Sequence, residues 1–138
     1  MPAHYQATTR DVVVSVRPIF LAEQSDPDAG QWVWAYQVRI ENHGDATVQL
    51  LRRTWRITDA RGRVQTIEGP GVVGEQPTLA TGETFEYTSG TPLGTPSGFM
   101  SGIYHMVVAA TGEAFDAAVP AFSLDSPGAG PGTARSLN

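Results

Sequence analysis

Along most of this chain apolar and polar residues alternate with a period of two, the pattern of strands half-buried against a core. From Asp11 to Phe20, the residues Val12, Val14 and Val16 share one face, and Pro18 is expected to end the strand or mark a sheet edge. A polar loop, SDPDAG, follows. The clearest strand comes next, with Trp32, Trp34, Tyr36, Val38 and Ile40 alternating with Val33, Ala35, Gln37, Arg39 and Glu41. Asn42 to Asp45 predicts a turn. Between Thr47 and Asp59 the alternation slips between Leu50-Leu51 and Trp55-Ile57, which predicts a β-bulge near Leu51 to Arg53. DARGR, Asp59 to Arg63, predicts a hairpin loop with Gly62 in the left-handed conformation, returning into Val64 to Glu68. Further strands are expected at Phe85 to Tyr87, Ile103 to Ala110 and Ala114 to Leu124. The turn ATGE, the Gly/Pro/Ser stretch Gly90 to Gly98, and Thr111-Gly112-Glu113 separate them.

Seven to eight short strands and no amphipathic helix predict an all-β fold, because two apolar sheet faces must cover each other. The expected architecture is an immunoglobulin-like, specifically fibronectin type III-like, antiparallel β-sandwich. Tyr104 falls near the start of a late strand, with Met106 and Val108 on its face. There it suits either a tyrosine corner, whose hydroxyl bonds back to nearby backbone, or a plain core tyrosine. Residues 1–124 are read as the domain, and DSPGAGPGTARSLN, residues 125–138, as a disordered tail with little to bury.

At 138 residues the chain suits one domain. Its lack of cysteine removes disulfides, thiol nucleophiles and cysteine-ligated metal, and fits a reducing compartment. MPAHYQATTR lacks the charged and apolar segments of a signal peptide, so a cytoplasmic location is expected. The longest apolar runs, Trp32 to Tyr36 and Met106 to Ala110, fall far short of the ~20 residues of a spanning helix, which predicts no membrane insertion. With a net charge of −5 and no lysine, long-range attraction to nucleic acid or anionic lipid is not expected. Any anion site would have to be local.

The stretches RPIFLAEQSDPDAGQWVWAYQVRIENHG, LLRRTWRITDARGR, EGPGVVGEQPTLATGETFEYTSGTPLGTPSGFMSGIYHM and FDAAVPAFSL resemble the ApaG family of bacteria, a module also found in some eukaryotic F-box proteins and in a polymerase-delta-interacting protein. The resemblance runs from about Thr8 to Leu124. It departs from the family pattern at Ala80-Thr81-Gly82, where a Pro-Gly turn is usual, and at Pro70. It implies a fibronectin type III-like sandwich without established enzymatic activity or cofactor. It also implies a link by name to cobalt resistance and magnesium efflux, gene proximity to a diadenosine tetraphosphatase, and, in the eukaryotic proteins, binding of protein partners.

Gly69, Gly71 and Gly74 have the GxGxxG spacing of a pyrophosphate-binding loop. In a dinucleotide fold that motif works because a strand feeds a tight turn into a helix whose N-terminal amides hold the phosphates. Here Glu75, Gln76 and Pro77 follow, with no helix and no βαβ unit. What survives is an anion nest of backbone amides. Five of the nine arginines lie between Arg52 and Arg63. A hairpin closing around Ala60 to Gly62 would put Arg53 across from Glu68 and Arg52 near Gly69, leaving Arg61 on the order of 20 Å away. Only Arg52 or Arg53 could then serve an anion, and a simple Arg53–Glu68 cross-strand pair is the favoured reading.

The histidines His4, His43 and His105 lack metal-ligand spacing, so a site would need His43, His105 and carboxylates such as Glu41 to assemble in space; no metal or cofactor is expected. No local catalytic signature such as GxSxG is present. The remaining reading is a binding module whose loops carry Val72, Val73, Leu93, Phe99 and Met100 toward an unidentified protein partner or a second copy, a homodimer. Taken singly, Val72, Val73 and Phe99 are expected to plug the ends of the core.

Overall fold

A computed structural model describes residues 5–127; the expectations for His4 and for the tail beyond residue 127 fall outside that range. Among the described residues, nine strands form two antiparallel sheets. The first sheet has the order β1-β2-β3-β7, built from Tyr5–Thr9, Val12–Phe20, Trp32–Asn42 and Thr84–Leu93. The second has the order β5-β4-β8-β9, built from Val64–Pro70, Val48–Asp59, Ser97–Val108 and Ala114–Asp125, with the two-residue β6, Thr78–Leu79, also paired to β4. The chain crosses between sheets after β3, β6 and β7, which gives the Greek-key connectivity of immunoglobulin-like sandwiches.

The alternation along β3 is the one expected: Trp34, Tyr36, Val38 and Ile40 are buried, while Gln37 and Arg39 are exposed. They meet Leu50, Trp55 and Ile57 of β4, Tyr104 and Met106 of β8, and Phe122 and Leu124 of β9 in one core. The β-bulge expected near Leu51 is present: Leu50 pairs with Met106 but Arg52 with His105, so Leu51 is the extra residue on β4. Gly62 takes φ +84 in the expected hairpin loop.

Three local features add to the sequence reading, correct it or decide between its alternatives. A strand that the alternation does not mark precedes Asp11: Tyr5–Thr9 pairs with Val12–Val16 through a two-residue turn at Arg10 and Asp11, both at positive φ. Gly90 to Gly98 is mostly strand, with only residues 94–96 left as the connection. β7 runs through Gly90 to Leu93 and β8 starts at Ser97, and Gly90 and Gly98 serve close packing: an added Cβ would lie 3.0 Å from the Trp34 carbonyl oxygen at Gly90 and 2.4 Å from the Thr58 carbonyl oxygen at Gly98. Tyr104 is fully buried, but its hydroxyl bonds to the Tyr87 hydroxyl across the sandwich instead of to nearby backbone, so it is a core tyrosine and not a corner. At the C-terminal end, β9 continues through Asp125, and the Ser126 hydroxyl donates to the Pro96 carbonyl at 2.6 Å.

Asn42 ties the sheets together at one end. It is 1 % exposed; its Nδ2 donates to the Ala46 and Leu79 carbonyls, and its Oδ1 accepts from the Gly44 amide, each at 2.9 Å. Replacing Asn42 with Ala leaves those backbone groups without partners inside the protein. Urea denaturation should show a loss of about 1–3 kcal/mol, and an unchanged midpoint would contradict this role.

Burial pushes the phenols of Tyr87 and Tyr104 well above the ordinary value of 10.0. The folded chain therefore keeps two protons that the unfolded chain releases above that value. Stability should be insensitive to these groups below pH 10.0 and fall as pH rises beyond it. In Tyr87→Phe that alkaline slope should be shallower, as read by denaturation at a series of alkaline pH values; an unaltered slope would show that the pair is not its source.

Candidate functional site

The glycine string lies between β5 and β6, both of which pair with β4, so the chain must step around the bulge that separates them. Leu51, displaced by the bulge, offers its carbonyl oxygen to the Gly71 amide at 2.8 Å and to Gln76 Nε2 at 2.9 Å. Val72 and Glu75 exchange both backbone hydrogen bonds, at 2.8 and 2.9 Å, which closes a tight turn over Val73 and Gly74. Gly71 is obligatory, because at φ +59 an added Cβ would stand 2.2 Å from the Glu75 carbonyl oxygen. Val73 takes φ +43, a conformation rare for a β-branched residue, and is 52 % exposed at the tip.

The arginines do not sit where the hairpin estimate puts them. Thr54 pairs with Glu68, Arg53 with Gly69 and Arg52 with Pro70, one residue away from the expected register. Asp59 causes the difference: its Oδ1 accepts from the Arg61 and Arg63 amides, and its own amide donates to the Arg63 carbonyl, so the loop closes over Asp59–Arg63. The ion pair to Glu68 accordingly comes from Arg52, at 3.4 Å, and not from Arg53. Arg53 folds over Gly69 and donates to the Pro70 and Gly71 carbonyls at 3.0 and 2.9 Å. The loop thus turns carbonyls toward its one adjacent guanidinium, and the amides of Gly71, Val72 and Glu75 are already donating within the protein. A cleft of about 260 Å³ beside it is lined by Arg53, Tyr36, Tyr87, Ser89, Val72 and Val73.

Of the five apolar residues assigned to partner-binding loops, Val72, Leu93 and Met100 are core residues. Leu93 ends β7, and Phe99 and Met100 lie within β8. Val73 and Phe99 are exposed, the opposite of plugging the core ends. Phe99 belongs to a surface that the sequence conceals, the outer face of the second sheet. Ladder pairing builds it rung by rung. Val64, Thr58, Phe99 and Ser123 form one rung; Thr66, Arg56 and Ser101 the next; then Glu68, Thr54, Ile103 and Ala118; then Pro70, Arg52, His105 and Asp116. Among the described residues, three of the four exposed large hydrophobics, Val64, Phe99 and Ile103, share this face.

The last two rungs also join residues that no sequence spacing links. Thr54 Oγ1 lies 2.7 Å from His105 Nε2, and His105 Nδ1 lies 3.0 Å from Asp116 Oδ1. With the Asp116 carboxylate accepting from Nδ1–H, Nε2 is left to accept the hydrogen bond of the Thr54 hydroxyl, the order of a nucleophile, a base and an orienting carboxylate. Acyl transfer would also need oxyanion donors and a substrate cleft. Thr54 lies mid-strand between two neighbours on an open face, and none of the three residues lines the clefts described here. What the chain of bonds does achieve is to hold His105 and Thr54 in fixed rotamers beside Ile103.

His43 and His105 do not converge. His43 Nε2 meets Glu41 Oε1 at 3.1 Å beside β3, whereas His105 is on the second sheet; among the described residues no cluster of three metal-ligating side chains forms.

Two antiparallel sheets, a Greek-key crossing and an aromatic core define the class: an immunoglobulin-like, fibronectin type III-like β-sandwich. Within that class the chain belongs to the ApaG family, whose domain model matches residues 22–108. Protein ApaG of Rhodospirillum centenum is 64% identical over 123 residues, covering 89% of this chain and 94% of the relative. Protein ApaG of Paramagnetospirillum magneticum is 63% identical over the same coverage. The crystal structure of a protein described as ApaA from Bordetella pertussis is similar with a TM-score of 0.81 and 52% identity, covering 85% of this chain and 94% of that one.

The strain at Val73 is open to a direct test. Asparagine tolerates positive φ and is favoured before glycine in such turns, and an exposed valine gives up little packing. Val73→Asn should therefore stabilise the protein by about 1 kcal/mol in urea denaturation. A neutral or destabilising result would mean that the valine side chain compensates for its backbone.

Proposed function

We propose that this ApaG-family chain is a non-enzymatic protein-interaction domain that receives its partner on the outer face of the β5-β4-β8-β9 sheet. One observation carries this reading: Phe99, Ile103 and Val64 are exposed together there, interleaved with Arg52 and Arg56. Aromatic and aliphatic anchors beside arginines are what protein interfaces concentrate at their centres. At about 3.3 Å per residue, Phe99 and Ile103 stand roughly 13 Å apart along β8, a separation that one partner element can span. Any link to cobalt resistance or magnesium efflux would run through that partner, since no helix among the described residues is long and apolar enough to cross a membrane. A cytoplasmic site of action fits the cysteine-free composition.

The alternative, a small-anion or pyrophosphate sensor built on Gly69, Gly71 and Gly74 with Arg52 or Arg53, has less support, because Arg53 is occupied by loop carbonyls and Arg52 by Glu68. Titrating pyrophosphate while following the amides of Gly71 to Gly74 separates the two readings.

The interaction reading is tested by cross-linking and affinity capture with three proteins: the unaltered chain, Phe99→Ser/Ile103→Ser, and Val73→Ser. A specific partner, or a second copy seen by sedimentation, should be retained by Val73→Ser and lost by the double variant, whose substitutions are confined to an exposed face. A partner captured equally well by the double variant would place the interface elsewhere.

A further inference from the structure

The first sheet ends in a strand with one free side. β7 pairs only with β3. In line with β3, the Leu21 amide donates to the Val33 carbonyl and the His43 amide to the Asp11 carbonyl, so odd-numbered positions there serve β2 and even-numbered ones serve β7. Phe85, Tyr87, Ser89 and Thr91 of β7 therefore bond to β3, and the amides and carbonyls of Thr84, Glu86, Thr88 and Gly90 point away from the sheet. All four of those residues are exposed. Natural edges are blunted by proline, by bulges or by shortness. β1 has only five residues, β9 is bulged at Pro120 and Ala121, and β5 ends at Pro70, whose carbonyl Arg53 occupies. β7 carries no such device before Pro92.

The space beside this edge suits side chains as well as backbone. β9 packs against β1 and β2 on one side of the sandwich, so β7 and β5 are the edges of the other side, and they are not bonded to each other. The cleft of about 260 Å³ opens in that gap. Tyr87 and Ser89 line it from β7, Tyr36 and Trp55 from the core, and Val73 from the glycine turn. Inward side chains of a strand laid along β7 would enter the cleft and cover Val73, which accounts for an exposed valine held at φ +43. Toward the start of β7, Thr84 and Phe85 share a second depression with Glu75 and Glu83, whose carboxylates favour a basic residue. From Ser89 to Phe85 is about 13 Å at 3.3 Å per residue, the span of four residues in an added strand. A second copy of this chain is a poorer occupant. The inward side chains of its own β7, Phe85 and Tyr87, pack into its own core, and both copies would bring Glu83 and Glu86 to the contact.

We infer that the free edge of β7 takes an extended segment of another protein by antiparallel strand addition, with an aromatic side chain in the Val73 cleft and a basic one four residues later beside Glu75 and Glu83. The edge shares no residue with the partner face of Phe99, Ile103 and Val64, so either surface can fail its test without the other.

The test uses the full chain, 15N-labelled, with the blocked peptide acetyl-Thr-Phe-Thr-Val-Thr-Arg-Thr-amide as probe and amide hydrogen exchange read by NMR. Exchange should be fast at Thr84, Glu86, Thr88 and Gly90 in the free chain and slower by about tenfold or more at saturating peptide, while Phe85, Tyr87 and Ser89 are protected in both states. N-methylation of the third and fifth peptide residues removes backbone donors, leaves every side chain, and should abolish the protection. Thr88→Pro deletes an amide that points away from the sheet, so the chain should stay folded and bind the peptide at least about tenfold more weakly. Val73→Asn relieves the turn and should weaken binding several-fold without loss of stability. The inference is overturned if the peptide protects none of the four amides, or if both variants, folded by their amide spectra, bind it as tightly as the unaltered chain. Protection that rises with protein concentration in the absence of peptide would assign the edge to a second copy and overturn it equally.

Discussion

The placement of Trp55 over Gly102 is the constraint on which the second sheet depends. The two residues are ladder partners, and any Cβ on Gly102 would meet the Trp55 ring at 2.8 Å. The indole occupies that space and reaches the core from both sides. Its ring lies 5.3 Å from Tyr36 of the opposite sheet at 61°, and 6.1 Å from Tyr104 and Phe122 in near-perpendicular arrangements. Edge-to-face geometry of this kind adds to plain burial and resists sliding. Because side chains alternate along a strand, fixing Trp55 inward fixes Thr54 and Arg56 outward. A one-residue slip would bury both and expose the indole.

The same constraint explains the bulge. Val48 and Leu50 must also face inward, yet Arg52 and Thr54 share the outer face, so β4 has to absorb one extra residue between the two sets. Leu51 is that residue, and its freed carbonyl anchors the glycine turn through Gly71 and Gln76. The GxGxxG spacing therefore follows from sheet geometry. Gly71 is required by a backbone approach, Gly74 by a positive φ, and Gly69 makes room for the Arg53 guanidinium. None of these uses presents amides to a phosphate, which is what the spacing achieves when a helix follows it.

Much of the fold was legible in the sequence because half-burial leaves a period-two trace: the core faces of β2 and β3, the slip at Leu51 and the turn at Gly62 all appear there. The site was less legible because it depends on register. The Arg53–Glu68 pairing failed by one residue, since the two hydrogen bonds that Asp59 Oδ1 accepts widen the hairpin loop and no spacing rule announces them. Thr54, His105 and Asp116 come from three strands and meet only once all three registers are set. Phe99 was hidden differently: Gly98 beside it signals a turn by composition, but is there because the Thr58 carbonyl passes close by.

A sandwich whose inner faces are locked in this way has two outer faces free to differ, and here they do. The first sheet shows polar side chains around Arg17, whereas the second shows Phe99, Ile103 and Val64 around the Thr54–His105–Asp116 chain. Substitutions on one outer face share no side-chain partner with those on the other, because the core lies between them, so their effects on stability should add. Coupling between the faces would have to pass through the residues that span the core, where the Tyr87–Tyr104 hydroxyl pair and the Asn42 bond to the Leu79 carbonyl are direct polar links between the sheets. Tyr87 follows Glu86 on β7, and Tyr104 precedes His105 on β8. That pair is thus one residue removed along the chain from an outward-facing side chain on each sheet, Glu86 on the first and His105 on the second.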